Sequence, residues 1–220
     1  MKKSLLWYPT LYTIEDWLYY ALISYTVEVE GADAVVVGSS HPWVESVLLA
    51  LNVGSVMTLE YSNLTYGFNE TASECEGEGT TSNPLYIKTV NVLGMEVFYK
   101  ESQNKFDMVF SISSLDHDGL GRYGDPLNPN GDLEAMDKIR SILKPGGLLL
   151  LSVPVGPDVV IFNLHRRYGP LRLPMLFKGW DVVKRVGEFC AYAYTYAYAS
   201  CIGSMGSMGS IVCIVCIVCV

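Results

Sequence analysis

The stretch SSLDHDGLGRYGD, residues 113 to 125, gathers the densest set of reactive side chains in the chain. His117 is a candidate base for a hydroxyl or amine, because imidazole titrates near neutral pH, and Asp116 or Asp118 is placed to orient it. Arg122 can grip a carboxylate or phosphate through two parallel hydrogen bonds, and Tyr123 stands beside it. The same residues also allow a structural role, in which Asp118, Arg122 and Asp125 pair with one another and Gly119, Gly121 and Gly124 make turns. Further on, His165-Arg166-Arg167-Tyr168 offers a second imidazole, against a plainer alternative of two solvated surface arginines. Neither group has metal-ligand spacing, so no metal is expected, and no Ser-His-Asp order with a nucleophile elbow occurs.

These residues need a scaffold, and DAVVVGSSHPWVE, residues 33 to 45, begins to supply it. ADAVVVG is an apolar, β-branched run of the kind that forms a strand buried on both faces. HPWVESVLLALN follows with Pro42 in a first helical turn and Trp43, Val44, Val47, Leu48 and Leu51 on one face. SVMTLEY is a second strand that delivers Glu60 to its carboxyl end, 22 residues after Gly38. Strand, helix and strand therefore form a right-handed parallel unit.

A dinucleotide site needs several glycines so that backbone N–H groups can approach a pyrophosphate, and here only Gly38 is present. Glu45, early in the helix, would also sit badly beside a pyrophosphate. The alternative is an ordinary corner, with Ser40 or His41 as the helix N-cap.

FDMVFSIS is a third clear strand, and the reactive loop follows its carboxyl end, where open α/β sheets bind ligands. Asp132 is expected to cap the next helix, with Leu133, Met136, Ile139, Ile142 and Leu143 inward and a Glu134/Lys138 pair outward. KPGG ends that helix and LLLLSVP is the next strand. LYIKTVNV supplies one more strand, with VNVLGMEVFYKE either a helix or irregular. Ile14, Trp17, Leu18, Ala21, Leu22 and Tyr25 have the spacing of a docking helix near the N-terminus. The fold class expected is α/β: a doubly wound, mostly parallel sheet with helices on both faces.

At 220 residues, half of them hydrophobic, the chain can bury one ordinary core. We expect an α/β domain over residues 1–187, with a polar surface insertion at 69–84, and an uncharged low-complexity tail over 188–220. Fifteen Lys and Arg against 23 Asp and Glu give a formal charge of −8, which makes nucleic acid a poor partner. The N-terminus lacks a convincing signal peptide, and the sequons at Asn63 and Asn69 are short chance patterns, so a cytoplasmic location is the default. Five of the six cysteines lie in the last 31 residues, which suits a reducing compartment.

Cys213, Cys216 and Cys219 follow from a three-residue repeat, and the fourth ligand of an iron–sulfur run is missing. The tail's strongly apolar part falls short of the ~20 residues a bilayer helix wants, which weakens the case for membrane contact through it. AYAYTYAYA could form an antiparallel last strand after WDVVKRV, and IVCIVCIVCV, if exposed, would be prone to aggregate.

FDMVFSISSLDH and LEAMDKIRSILKPGGLLLLSVP resemble the fourth strand, following helix and fifth strand of class I S-adenosylmethionine-dependent methyltransferases. WYPTLYTIEDWLYYALISYTVEVEGADAVVVGSSHPWVE, TLEY, GLGRYGDP and HRRYGPLRLPMLFKGW resemble a largely nematode family known as domain of unknown function 268, over about residues 7 to 186. The resemblance implies a Rossmann-like methyltransferase fold with S-adenosylmethionine as cofactor. It implies that Gly38, Ser39, Ser40 and Ser113 border the cofactor, and that Glu60 accepts hydrogen bonds from the ribose hydroxyls. It leaves His117 and Asp116 as candidate catalytic residues and Arg122, Tyr123 and His165 on the side of an unidentified small-molecule or sugar-type acceptor. Two features depart from the methyltransferase pattern: Val36 stands where an acidic residue usually precedes the first glycine by two positions, and the polar residue expected near the adenine has only Asn91 as a candidate. A non-catalytic binding protein that has lost the cofactor is the alternative.

Overall fold

The structure, a computed structural model, describes residues 29–61, 64, 87–90, 92–186 and 211–219, together with Leu18, Ala21 and Leu22. Its elements run β1 (Asp33–Val37), α1 (Trp43–Ala50), β2 (Ser55–Leu59), β3 (Ile87–Val90), α2 (Val92–Glu101), β4 (Phe106–Ile112), a 3-10 turn (Leu115–His117) and α3 (Gly131–Ile142). They continue as β5 (Leu143–Val155), β6 (Val159–Ile161), β7 (His165–Arg167), α4 (Arg172–Leu176), β8 (Trp180–Val186) and β9 (Ile211–Cys219).

Seven strands form one sheet in the order β3-β2-β1-β4-β5-β9-β8. From β3 to β5 every pairing is parallel, and β9 runs antiparallel to both β5 and β8. The expected doubly wound, mostly parallel sheet is therefore present. The stretch VNVLGMEVFYKE, open between helix and irregular chain, is helical as α2.

Alternation along the central strands explains why they read as unbroken apolar runs. Ala34 and Val36 of β1 join Val56, Met108 and Phe110 in a core under α1, which also buries Leu18, Ala21 and Leu22. Val35, one pleat over, faces the other way into a core with Val109, Leu149, Met136, Ile139 and Ile142. Both faces are covered, so every position must be apolar. On α3 the inward residues Met136, Ile139 and Ile142 are fully buried, a stabilisation of roughly 1.5–3 kcal/mol for each side chain.

Four expectations need correction. Asp132 does not cap α3: Asn130 holds the cap position without a side-chain bond, and Asp132 turns inward at 0 % exposure. The Glu134/Lys138 pair is replaced by a bridge across helices, Lys138 Nζ lying 2.5 Å from Glu96 Oε1 on α2. Neither Ser40 nor His41 caps α1, whose cap position is Pro42. Finally, Ile211–Cys219 of the uncharged tail lies inside the sheet, flanked by β5 and β8, where it is neither apart from the domain nor an exposed edge. The AYAYTYAYA stretch, the 69–84 insertion, Asn63, Asn69 and Asn91 fall outside the described residues. Among the described residues, no helix is long and apolar enough to cross a membrane.

Candidate functional site

The chain winds outward from β1 through β2 to β3 and then returns to β4 on the other side of β1. Connections therefore diverge from the carboxyl ends of β1 and β4, which opens a crevice between them. A cavity of about 480 Å³ occupies this place, floored by Val37 and Gly38 on one side and Ile112, Ser113 and Ser114 on the other.

Gly38 shapes the crevice. Its φ of +74° suits glycine, and its N–H donates to the carbonyl of Leu59 over 2.8 Å. Ser39 then places its hydroxyl 3.0 Å from Glu45 Oε2, while Thr58 on β2 donates to Glu45 Oε1 over 2.6 Å. Glu45 thus staples the turn after β1 to the neighbouring strand from a wholly buried position. Burial pushes its carboxyl above the usual range, against the lowering effect of the Thr58 and Ser39 bonds. Glu60 follows β2 directly, lines the cavity and is itself buried.

The loop after β4 forms the opposite wall. Asp125 folds it by accepting the N–H groups of Gly121 (3.0 Å) and Tyr123 (3.1 Å). Gly119, Gly121 and Gly124 all take positive φ, as the turn reading expects. Gly119 is also tightly confined, since a β-carbon there would lie 2.0 Å from the carbonyl oxygen of Asn128. Arg122 does not pair with Asp118 or Asp125: its Nε donates to the Tyr123 hydroxyl over 3.2 Å, and its guanidinium stacks 5.5 Å from that ring. Tyr123 in turn meets the His117 ring edge-on at 5.4 Å.

His117 lines the cavity and donates from Nδ1 to the carbonyl of Leu164. That bond fixes the tautomer, and Nε2 stands 3.6 Å from Asp116 Oδ2. Asp116 is buried behind the imidazole, and burial raises its carboxyl despite the opposing influence of His117. His165 also lies behind the wall, its ring 6.4 Å from that of His117 and its Nε2 without a hydrogen bond among the described residues.

The plainer expectation for Arg166, a solvated surface position, is overturned. Arg166 is 2 % exposed and donates to the carbonyls of Asp118, Asn128 and Pro129, clamping both ends of the loop. Its Nε lies 3.7 Å from Asp132 Oδ2, and Arg172 Nη2 bonds Asp132 Oδ1 at 2.6 Å. Tyr168 completes the hub, its hydroxyl donating to Asp132 Oδ2 over 3.1 Å.

Of the residues singled out by sequence, Gly38, Ser39, Ser40, Glu60, Ser113, His117 and Tyr123 share the cavity wall. Asp116, Arg122 and His165 stand behind or beside it. Sequence reasoning missed Glu45 as a buried staple, although its place between Val44 and Leu48 on an apolar helix face was a signal. It also missed Tyr61, Met95 and Tyr99, which line the cavity from the end of β2 and from α2. Burial and the nearby Asp118 push the Tyr61 hydroxyl up to about 12.

The wall chemistry can be set against the cofactor that the resemblance implies. Glu60, Glu96, Asp118, Asp125 and Glu134 line the cavity, and Lys138, its only lysine among the described residues, is engaged by Glu96. Such a wall repels a pyrophosphate and suits a cationic sulfonium carrying a ribose diol, which the buried carboxyl of Glu60 can receive.

A family described as Caenorhabditis protein of unknown function, DUF268, matches residues 31–190. No curated protein matches the chain. Among solved structures, the chain is similar to the 1,6-didemethyltoxoflavin-N1-methyltransferase of Burkholderia thailandensis, with 12 % identity and a TM-score of 0.61 over 93 % of this chain and 77 % of that one. It is similar to the N-methyltransferase NodS of Bradyrhizobium japonicum, with 12 % identity and a TM-score of 0.54 over 93 % and 96 %. It is also similar to the [4+2]-cyclase SpnF, with 14 % identity and a TM-score of 0.54 over 92 % and 79 %. These likenesses establish the Rossmann-like methyltransferase fold.

Proposed function

Since the chain belongs to the DUF268 family and has a methyltransferase-like fold, we propose that its cavity holds S-adenosylmethionine and serves methyl transfer to a small molecule. The observation that carries this reading is the meeting of Gly38 and Glu60 at one cavity, in an acidic wall without a free lysine. When bound, the cofactor supplies an electrophilic methyl group.

The chain's own residues then have separable tasks. The turn at Gly38, Ser39 and Ser40, held by Glu45, receives the amino-acid end, and Glu60 takes the ribose hydroxyls. Ser113, just past the end of β4, borders the cofactor. With Nδ1 held by the Leu164 carbonyl, His117 can take a proton from an acceptor hydroxyl or amine only at Nε2, where the Asp116 carboxylate would steady the imidazolium formed. Tyr123, edged against His117 and backed by Arg122, guards the acceptor side, and His165 supports His117 from behind.

Val36 favours a second reading. It is 1 % exposed in the core where a methyltransferase commonly has an acidic residue, which fits a binding protein that keeps the fold without the cofactor. The two readings separate in a thermal-shift measurement with S-adenosylhomocysteine. Stabilisation that saturates, and that Glu60→Ala removes, supports the enzyme. No shift at millimolar ligand supports the scaffold.

A further inference from the structure

We propose that the acceptor recognised in this cavity carries an ammonium group, which Asp118 binds; the proposal rests on the cavity being the methyl-donor site.

The cavity's other charged groups have mostly found partners. Lys138 is held by Glu96, and Asp125 accepts two backbone N–H groups of its own loop. Asp118 differs. Among the described residues nothing donates a hydrogen bond to its carboxylate or forms an ion pair with it. Asp118 is half-buried and lines the cavity. A half-buried carboxylate without a hydrogen-bond partner, set among other acidic groups, is costly to keep ionised, so it invites a cation.

Arg166 is the one neighbouring cation that lowers the Asp118 carboxyl, and burial and Asp125 outweigh it without any ion pair to the carboxylate among the described residues. Arg166, packed against the loop, directs its donors to backbone carbonyls and to Asp132, and one of those carbonyls is Asp118's own. Asp125, Asp132 and Asp116 face Asp118 from the same loop, from α3 and from the 3-10 turn, and all three are acidic. Tyr61 and Tyr99 face it across the cavity, and burial followed by Asp118 raises both hydroxyls, so neither offers a charge. Burial first, and then Asp125, push Asp118 itself up to about 8.

The rest of the wall fits the same ligand. Trp43, Tyr61, Tyr99 and Tyr123 present aromatic rings that attract an ammonium or cover its apolar body. A carboxylate on the acceptor would meet Asp118 and Asp125 on this wall, and a neutral alcohol would leave Asp118 without a counter-charge. Alkyl ammonium groups titrate near ~10 and so enter charged at neutral pH. Their arrival draws a proton off Asp118, which makes binding proton-releasing and tighter as pH rises toward about 8.

The test is calorimetric titration of benzylamine and of benzyl alcohol into the full chain at neutral pH, in buffers of different ionisation heat, with and without saturating S-adenosylhomocysteine. The expected result is amine binding roughly tenfold tighter than alcohol binding, the scale of a charge-assisted contact, with a proton released only by the amine. Asp118→Asn should abolish preference and proton release while still melting cooperatively and binding S-adenosylhomocysteine. Equal affinities, absence of binding by both probes, or a preference that survives Asp118→Asn would overturn the proposal. So would an Asp118→Asn protein that loses instead the preference for S-adenosylmethionine over S-adenosylhomocysteine, which would assign the carboxylate to the sulfonium. Amine preference without any S-adenosylhomocysteine binding would keep the cation site and reject the methyl-donor reading alone.

Discussion

Gly38 and Ser114 approach so closely that a β-carbon on Gly38 would fall 1.7 Å from the Ser114 hydroxyl oxygen and 2.4 Å from its β-carbon. The two residues follow adjacent strands, β1 and β4, and their contact sets how near the two turns come at the base of the cavity. The lone glycine is therefore required twice, by its φ of +74° and by its neighbour.

Gly38→Ala should lower stability by at least ~1–2 kcal/mol from backbone strain alone, with the clash in addition. Ser114→Gly in the same chain should recover part of that loss. Thermal unfolding of the two single variants and the double variant checks this. Additive effects would show that the turns do not communicate through this contact.

Asp132→Ala removes the carboxylate shared by Arg166 and Arg172 and leaves a buried guanidinium without its counter-ion. Such losses cost on the order of 3–5 kcal/mol. Denaturant unfolding should show a marked drop in midpoint, and loop 118–131 should become more sensitive to protease, because Arg166 clamps both its ends.

Asp118 bears on the pH dependence of stability. Its folded-state carboxyl is raised from 3.8 to about 8, so the folded chain favours the protonated form. The stability it contributes is complete below 3.8 and is lost as pH rises toward about 8. Asp118→Asn should therefore flatten the decline in melting temperature across that window. An unchanged slope would mean that Asp118 does not titrate abnormally.

Truncation after residue 210 removes β9, which separates β5 from β8. The long β5 would become a bare edge, β8 would lose its only strand partner among the described residues, and the truncated chain should aggregate. A membrane tether would behave oppositely, since deleting it would release soluble protein. Fractionation and light scattering of the truncated chain distinguish the two.

Much of this arrangement was legible from local pattern. The buried runs around Val35, Phe110 and Leu150 announced parallel strands, and the helical spacing of Met136, Ile139 and Ile142 announced α3. The 22-residue interval from Gly38 to Glu60 placed both at the cavity. Long-range polar pairing was not legible. Asp132 had the look of a cap because it stands at a helix start, and only the fold brings Arg166 and Arg172, 34 and 40 positions later, against it. The staple role of Glu45 was hidden for a related reason, since its partner Thr58 lies on the next strand. The IVC repeat read as low complexity because its period of three hides the alternation of a strand, while its β-branched residues suit the sheet interior.

The central claim is that Glu60 and the Gly38 turn hold the methyl donor. Calorimetric titration of S-adenosylhomocysteine into the intact chain and into Glu60→Ala tests it most directly. The expected result is saturable one-site binding, weakened by roughly 10- to 100-fold in Glu60→Ala, the scale of hydrogen bonds to a charged group. Absence of binding to the intact chain, or equal affinity in both proteins, would contradict it.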